Sequence, residues 1–359
     1  MPYTNPMAQV YDTGAFESIM DQGLELADWN GFESRVASSG HEGKLRGRGL
    51  ATFLEWTGGN AFEERVTVRV AADGIIEVMT ALMPMGQGIA TSFAQVVTDI
   101  LGLPLDKIRI LHGDTDLANG FGSAGSRSIF TGGSSVMVAS KRTLDKAREL
   151  AAEELECSPD DVEYLAPRLV VAGTDRGIDL FELAGRQTDK QIFIDSTSAV
   201  DGSTWPNGCH ICEVEIDPQT GDTQIVSYAN VNDVGKVINP LIVTGQLEGG
   251  AVQGMGQALC EAVVYEAGSG QLQTGSLMDY CLPRADIIGT FKTGLDQSIP
   301  CKNNPLGVKG VGELGTIGAT PAVVSAVMDA LVRAGVPERK RLALQMPLTS
   351  EKIWALLND

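Results

Sequence analysis

The residues best suited to chemistry lie in one glycine-rich run, Gly307-Val-Lys-Gly-Val-Gly-Glu313-Leu-Gly-Thr-Ile-Gly318, which holds a single carboxylate among five glycines in twelve residues. Glycine removes Cβ sterics, so such a loop can take left-handed angles and approach a large ligand closely. An acid held there has the makings of a general base if its site is partly desolvated. Spacing alone equally allows Glu313 to be a local acceptor ahead of a helix, the commoner fate of acids in this position. Thr320 and Pro321 suit an N-cap and a first helical residue, and Gly335 a stop. A second candidate is Gly86-Gln87-Gly88, placed just before an apolar-periodic helix whose N-terminal amides favour an anion. A third is the segment around Gln246 and Gln253, whose amides both donate and accept. Gly249, Gly250, Gly254 and Gly256 in the same helix each cost about 1 kcal/mol against alanine. That cost calls for backbone-on-backbone packing or for a planar cofactor laid against the helix.

These segments belong to an ordered set. Pro2-Tyr3-Thr4, Tyr11-Asp12-Thr13-Gly14, Met85-Gly86-Gln87-Gly88, His112-Gly-Asp-Thr-Asp116, Ser123-Ala-Gly-Ser-Arg-Ser128 and Asp233-Val-Gly-Lys-Val-Ile-Asn-Pro240 follow one another along the chain. Gly245-Gln-Leu-Glu-Gly-Gly250, Met278-Asp-Tyr280, Pro283-Arg-Ala285 and the Glu313 loop complete the series. Taken together the series resembles the C-terminal part of the large subunit of the molybdenum hydroxylases, the xanthine oxidase and aerobic carbon monoxide dehydrogenase family. The resemblance implies that Glu313 is the active-site base. It implies oxidative hydroxylation of an aldehyde or N-heterocycle, or oxidation of carbon monoxide, with oxygen drawn from water and two electrons released.

The implied cofactor is a molybdenum-pterin, in bacterial members the cytosine dinucleotide form. By the same resemblance Gly86, Gln87, Gly88 and Ala124, Gly125, Ser126, Arg127 and Ser128 would serve its phosphate and pterin, with Arg127 neutralising charge. Gln246, Gln253, Lys309, Gly310, Val311 and Gly312 would lie beside it. Trp56 falls where the family places part of its substrate pocket, either stacking on a ring or filling the core. The match begins about halfway along such a subunit, so the implied partners are the remaining half and the chains or domains that carry FAD and 2Fe-2S clusters. The alternative is a non-catalytic half-subunit or assembly module that binds a partner chain without chemistry. Asn207, in Trp205-Pro-Asn-Gly208, stands where an aromatic residue is more usual.

The elements that must position these residues are legible in outline. The 359 residues, 43% hydrophobic, suffice for one large or two ordinary domains, and a net charge of −19 without any basic run argues against nucleic acid. No stretch has the uninterrupted apolar length that a bilayer span needs, and the first residues lack a leader pattern. Together with six cysteines in no disulfide framework, this predicts a cytoplasmic address. Of the forty-two glycines, nineteen lie at 86 to 133, 245 to 256 and 307 to 318. We expect an α+β chain with mixed sheets and packed helices: a helical connector over 1–47, a first α/β lobe over 48–190 and a similar second lobe over 191–359.

Periodicity predicts helices over 16–27, 32–38, 89–101, 134–156 and 179–186, and strands near 50–56, 64–70, 75–82, 108–111, 209–216 and 224–230. The loop 112–128 is long enough to be functional, and Gly40 to Gly49 reads as a glycine-broken connector. Residues 187–206 are poorly patterned and serve as the lobe boundary. Strand, acidic-glycine turn, strand, Gly-Gln and helix recur in both lobes, which suggests an internal duplication. Cys209-His-Ile-Cys212 would send its thiols to opposite faces of a strand, which disfavours zinc. No nucleophile elbow or iron-sulfur cysteine spacing is present, and no dinucleotide-type G-x-G-x-x-G follows a strand in the required unit.

Overall fold

The structure is a computed structural model that describes residues 1–358; Asp359, the last residue of the expected second lobe, lies outside the described residues. In chain order, a ribbon of β1 (Tyr3–Thr4) and β2 (Val10–Tyr11) leads into α1 (Phe16–Leu26), α2 (Phe32–His41) and β3 (Leu45–Leu54). Then come β4 (Glu63–Ala71), β5 (Ile76–Thr80), α3 (Ile89–Leu101), β6 (Ile108–His112) and α4 (Ser134–Leu155). A small sheet of β7 (Val162–Leu165), β8 (Arg168–Val171) and β9 (Gly177–Asp179) precedes α5 (Leu180–Arg186) and β10 (Gln191–Ala199). The rest is β11 (Asn207–Ile216), β12 (Thr223–Asp233), α6 (Pro240–Leu259), β13 (Ile288–Asp296), α7 (Leu314–Arg333), α8 (Glu338–Leu342) and α9 (Ser350–Asn358).

Two four-stranded mixed sheets dominate, ordered β10-β4-β5-β6 and β13-β12-β11-β3. In each, an antiparallel hairpin (β4–β5, β11–β12) is followed by a crossover helix (α3, α6) and a strand parallel to the second (β6, β13), while an antiparallel strand closes the other edge. A long loop then enters a long helix, α4 or α7. The repeated order is therefore a repeat of strand topology. The sheets do not follow the expected division at 190/191: β10 lies in the first sheet and β3 in the second. The segment read as unpatterned forms β10, whose alternation of buried and exposed residues is masked in the sequence by serine and threonine. Likewise Gly47 and Gly49 belong to β3 rather than to a connector. A Cβ on either would sit 2.1 Å from a carbonyl oxygen of α7, so only glycine lets strand and helix meet.

The first sheet packs Val66, Val68, Val70 and Val78 against Phe93, Val97 and Ala147 of α3 and α4. Its other face pairs Arg69 and Arg109 with Glu77, and Arg65 with Asp195. The second sheet is covered on both faces, which explains why nearly all of β11 is buried. Cys209 and Ile211 meet α1, whereas Cys212 and Val214 meet α6 and α7, so the two thiols do point to opposite faces.

Helix α7 starts at Leu314, not at Thr320, and Pro321 lies inside it. Its first turns are helical because α6 meets them backbone to backbone. A Cβ on Gly315 would lie 2.3 Å from Leu247 O, and one on Gly254 2.9 Å from Thr316 O. The Thr320 hydroxyl, freed from capping, donates to Gly254 O at 3.1 Å. Helix α6 likewise starts earlier than expected, at Pro240 with Asn239 as its cap, so Gly245-Gln246 is helical rather than a preceding loop. By length and composition α7 is apolar enough to cross a bilayer, contrary to the reading above; here it is a core helix, with Ala322, Ala326 and Ala330 fully buried.

Gly318 abuts His210, whose Nδ1 would be 2.3 Å from an added Cβ. The ring is held by Tyr228 Oη at 2.7 Å and Asn232 Oδ1 at 3.1 Å, and burial pushes its pKa down to about 4. Gly318→Ala should therefore cost about 1–3 kcal/mol through overpacking, read as a lowered thermal midpoint. A midpoint equal to wild type would show that the ring can yield.

Candidate functional site

A cavity of about 320 Å³ opens where the loops leaving equivalent strands of the two sheets face each other. The first sheet contributes the start of α3 and the 123–129 segment; the second contributes 234–246 and 308–313. Asn239 Nδ2 donates to Gln95 Oε1 at 2.9 Å, joining α6 to α3 across the junction. Gly88, at φ +76°, lies so close to Ile242 that a Cβ would fall 2.9 Å from its Cδ1.

Glu313 takes the N-cap position of α7 but makes no side-chain capping bond. Its Oε2 lies 2.5 Å from Ser126 Oγ, so the local-cap reading does not describe it. Ser126 has a left-handed backbone, φ +55°, which carries its hydroxyl between two acids: its Oγ is also 2.7 Å from Glu55 Oε1. The acid expected in a desolvated setting is exposed at the cavity mouth, and the buried carboxyl is Glu55, 6% exposed. Burial, opposed by the Ser126 bond and reinforced by neighbouring Glu313, pushes the Glu55 carboxyl up to about 8.

Two buried ion pairs hold these loops. Lys309 Nζ donates to Asp233 Oδ2 at 2.6 Å, with both side chains in the interior, and Asn207 Nδ2 donates to the same oxygen at 3.0 Å. Asn207 thus fills the place expected of an aromatic by completing the Asp233 shell. Gly235 pairs with Val308, and Lys309 N donates to Val234 O at 2.7 Å, stitching the glutamate loop to the end of β12. Arg127 is wholly buried and donates to Glu64 Oε2 and to the carbonyls of Ala61, Glu63 and Gly122. Burial raises the Glu64 pKa and the guanidinium holds that rise back.

Placed on this frame, Gln87, Ala124, Gly125, Ser126 and Ser128 line the cavity, as do Gln246, Val311, Gly312 and Glu313. Gln87 uses its amide locally, donating to Met83 O and accepting from Met85 N. Gly86 is open on the rim. Gly310 lies behind the lining, where a Cβ would be 2.4 Å from Ser126 O, so it is the point at which the two loops touch. Four of the expected residues are placed otherwise. Arg127 does not face a ligand, because its guanidinium is wholly buried and bonded to Glu64 and three carbonyls. The Lys309 ammonium, although its side chain flanks the cavity, is turned to Asp233. Gln253 and Trp56, 42% exposed in the latter case, stand outside the lining. Residues passed over in the sequence include Lys236, Asn239, Ser92 and above all Glu55, the direct neighbour of Trp56.

Known proteins resemble this chain along its whole length. The family description "Molybdopterin cofactor-binding domain" matches residues 22–289. The chain belongs to the molybdenum hydroxylase family. This molybdopterin-binding chain is 34% identical to the 6-hydroxypseudooxynicotine dehydrogenase complex subunit gamma of Paenarthrobacter nicotinovorans, over 96% of the chain and 44% of the relative. It is 30% identical to the carbon monoxide dehydrogenase large chain of Hydrogenophaga pseudoflava, over 100% of the chain and 46% of the relative. Quinoline 2-oxidoreductase from Pseudomonas putida 86 superposes with a TM-score of 0.87 and 31% identity, covering 100% of this chain and 48% of that one. The molybdopterin-binding chain thus spans a little under half the length of these relatives.

The residues present fit a phosphate-bearing pterin. Helix α3 meets the cavity at its N-terminus without a side-chain cap, leaving first-turn N–H groups for an anion. Ser92, Ser128, Lys236 and Gln246 add hydroxyl, ammonium and amide groups. Among the described residues no group of three or more His, Cys, Asp and Glu side chains is placed to hold a metal ion.

Proposed function

We propose that this chain is the catalytic C-terminal portion of a molybdenum-dependent hydroxylase acting on an electron-poor carbon of an N-heterocycle or aldehyde. The observation that carries this reading is the Glu313 carboxylate, anchored by Ser126 at 2.5 Å and presented at the mouth of the cavity that fits the cofactor. The N-heterocycle class is favoured because relatives at 34%, 32% and 31% identity are named for 6-hydroxypseudooxynicotine, nicotine and quinoline.

When bound, the molybdenum-pterin cofactor supplies the two-electron redox change and activates water. The chain's own part is to receive the phosphate-bearing tail at the α3 N-terminus and to seat the pterin between the 123–129 and 308–313 loops. It also holds Glu313 ready to accept a proton at its free Oε1. The cytosine dinucleotide form of the cofactor belongs to this reading. So do FAD and 2Fe-2S clusters on partner chains or domains, the missing half of the subunit as the other wall of the cavity, and a cytoplasmic address compatible with six free thiols. Exposed Met85 at the cavity, and Leu241, Leu277 and Met278 outside its lining, give that half an apolar surface to cover.

The test is the molybdenum-to-protein ratio of the complex containing this chain, purified from its source. A ratio close to one per chain, with cytidine monophosphate released on acid hydrolysis, is the expected result. A complex whose other cofactors are intact but which lacks molybdenum would overturn the proposal in favour of a partner-binding module.

A further inference from the structure

Ser126 Oγ lies within hydrogen-bond distance of two carboxylate oxygens, Glu55 Oε1 at 2.7 Å and Glu313 Oε2 at 2.5 Å. A hydroxyl has one proton to give, and ionised carboxylates only accept. With both acids ionised, one of the two contacts would press lone pair against lone pair. We propose that Glu55 is a neutral carboxylic acid in the resting enzyme, that it donates through Oε1 to Ser126 Oγ, and that Ser126 in turn donates to Glu313 Oε2. Glu55 is then a positioning residue: it aims the serine hydroxyl, and the hydroxyl holds Glu313 as a carboxylate with Oε1 turned free.

Three observations support the assignment of the proton to Glu55 rather than to Glu313. Glu55 is buried while Glu313 is exposed, so ionisation is costlier at Glu55. Its second oxygen, Oε2, is buried with no hydrogen-bond partner among the described residues, which a neutral acid tolerates better than a carboxylate. Among the described residues no cation offsets it, because the buried cations of the loops packed around it, Lys309 and Arg127, are bonded to Asp233 and Glu64. The charged group that bears on Glu55 is Glu313, from the start of α7, and like charge further opposes ionisation. The shift of the Glu55 carboxyl to about 8 points the same way.

The sign of the pH effect follows. Native Glu55 keeps its proton above the ordinary carboxyl range, so between about pH 4.5 and 8 the folded chain holds more protons here than the unfolded one. This contribution to stability therefore declines as pH rises through that window. Above about pH 8 the ionised Glu55 competes for the serine proton and Glu313 loses its orientation.

The catalytic use of this triad rests on the hydroxylase reading above; the protonation itself does not, so we separate them by measurement. Infrared spectra of the intact complex are recorded across the pH range for wild type, Glu55→Gln, Glu313→Gln and Ser126→Ala. The neutral-acid carbonyl band should be present at about pH 7 in wild type and absent in Glu55→Gln. It should titrate away at lower pH in Glu313→Gln, where the like charge is gone, and shift in frequency in Ser126→Ala. A wild-type spectrum without the band, a band retained in Glu55→Gln, or one unmoved in Ser126→Ala would overturn the proposal, whatever the complex turns over. In the metal-loaded complex, kcat should fall about tenfold between about pH 9 and its value at about pH 7 in wild type. Glutamine cannot ionise, so that ratio should flatten in Glu55→Gln. A fall that persists in the variant would exclude the positioning role while leaving Glu313 as the base.

Discussion

Glu313→Gln should leave molybdenum bound and lower kcat by about a hundred- to ten-thousandfold, the range expected when a general base is removed. The substitution keeps the shape of the side chain, and the amide oxygen can still accept from Ser126, so the 308–313 loop retains its anchors at Asp233 and Val308. What is lost is the capacity to take a proton at the cavity mouth. Metal analysis alongside steady-state kinetics checks the result. A loaded variant retaining more than about a tenth of the wild-type rate would show that another group, or water, takes the proton.

The largest effect on stability is expected at Arg127. Arg127→Leu removes the partner of a carboxylate that is itself fully buried and strands three carbonyls, those of Ala61, Glu63 and Gly122. Breaking a buried pair in this way costs about 3–5 kcal/mol, because the remaining charge is left uncompensated. The 113–128 loop should also loosen, since Arg127 ties it to the segment preceding β4. Thermal unfolding together with amide exchange over 122–128 would read both effects. Arg127→Lys should recover only part of the loss, because one ammonium cannot reach four acceptors in the planar fork geometry of a guanidinium. A midpoint unchanged in Arg127→Leu would mean that Glu64 has become neutral at little cost.

The sequence made legible whatever depended on local pattern. Helix α3 ends at Gly102 because that residue adopts a left-handed conformation, and the Asp179 side chain caps α5 as the polar-to-apolar switch there implies. Glycine clustering also located the loops that form the cavity. What could not be read depended on long-range packing. Whether Gly250, Gly254, Gly315 and Gly318 met a cofactor or a neighbouring helix was undecidable from one strand of text; they meet α6, α7 and His210. Arg127 looked like a cation aimed at a ligand because nothing local reveals Glu64, sixty-three residues earlier, as its partner. Glu55 was overshadowed by Trp56 because burial of a strand-end acid is set by loops distant in sequence. The signal available was an acid flanked in sequence by Phe53, Leu54 and Trp56.

The backbone-to-backbone seam between α6 and α7 has a mechanical consequence. Side chains can rearrange by changing rotamer, but two helices meeting at Gly250, Gly254 and Gly315 have no such slack. The root of Glu313 is therefore held as a fixed post by this close backbone packing. Ser126, by contrast, is carried on a long loop pinned at Arg127. Adjustment to substrates of different width must come from that opposite jaw, and variants that broaden substrate choice should collect in residues 113–126 and spare the seam.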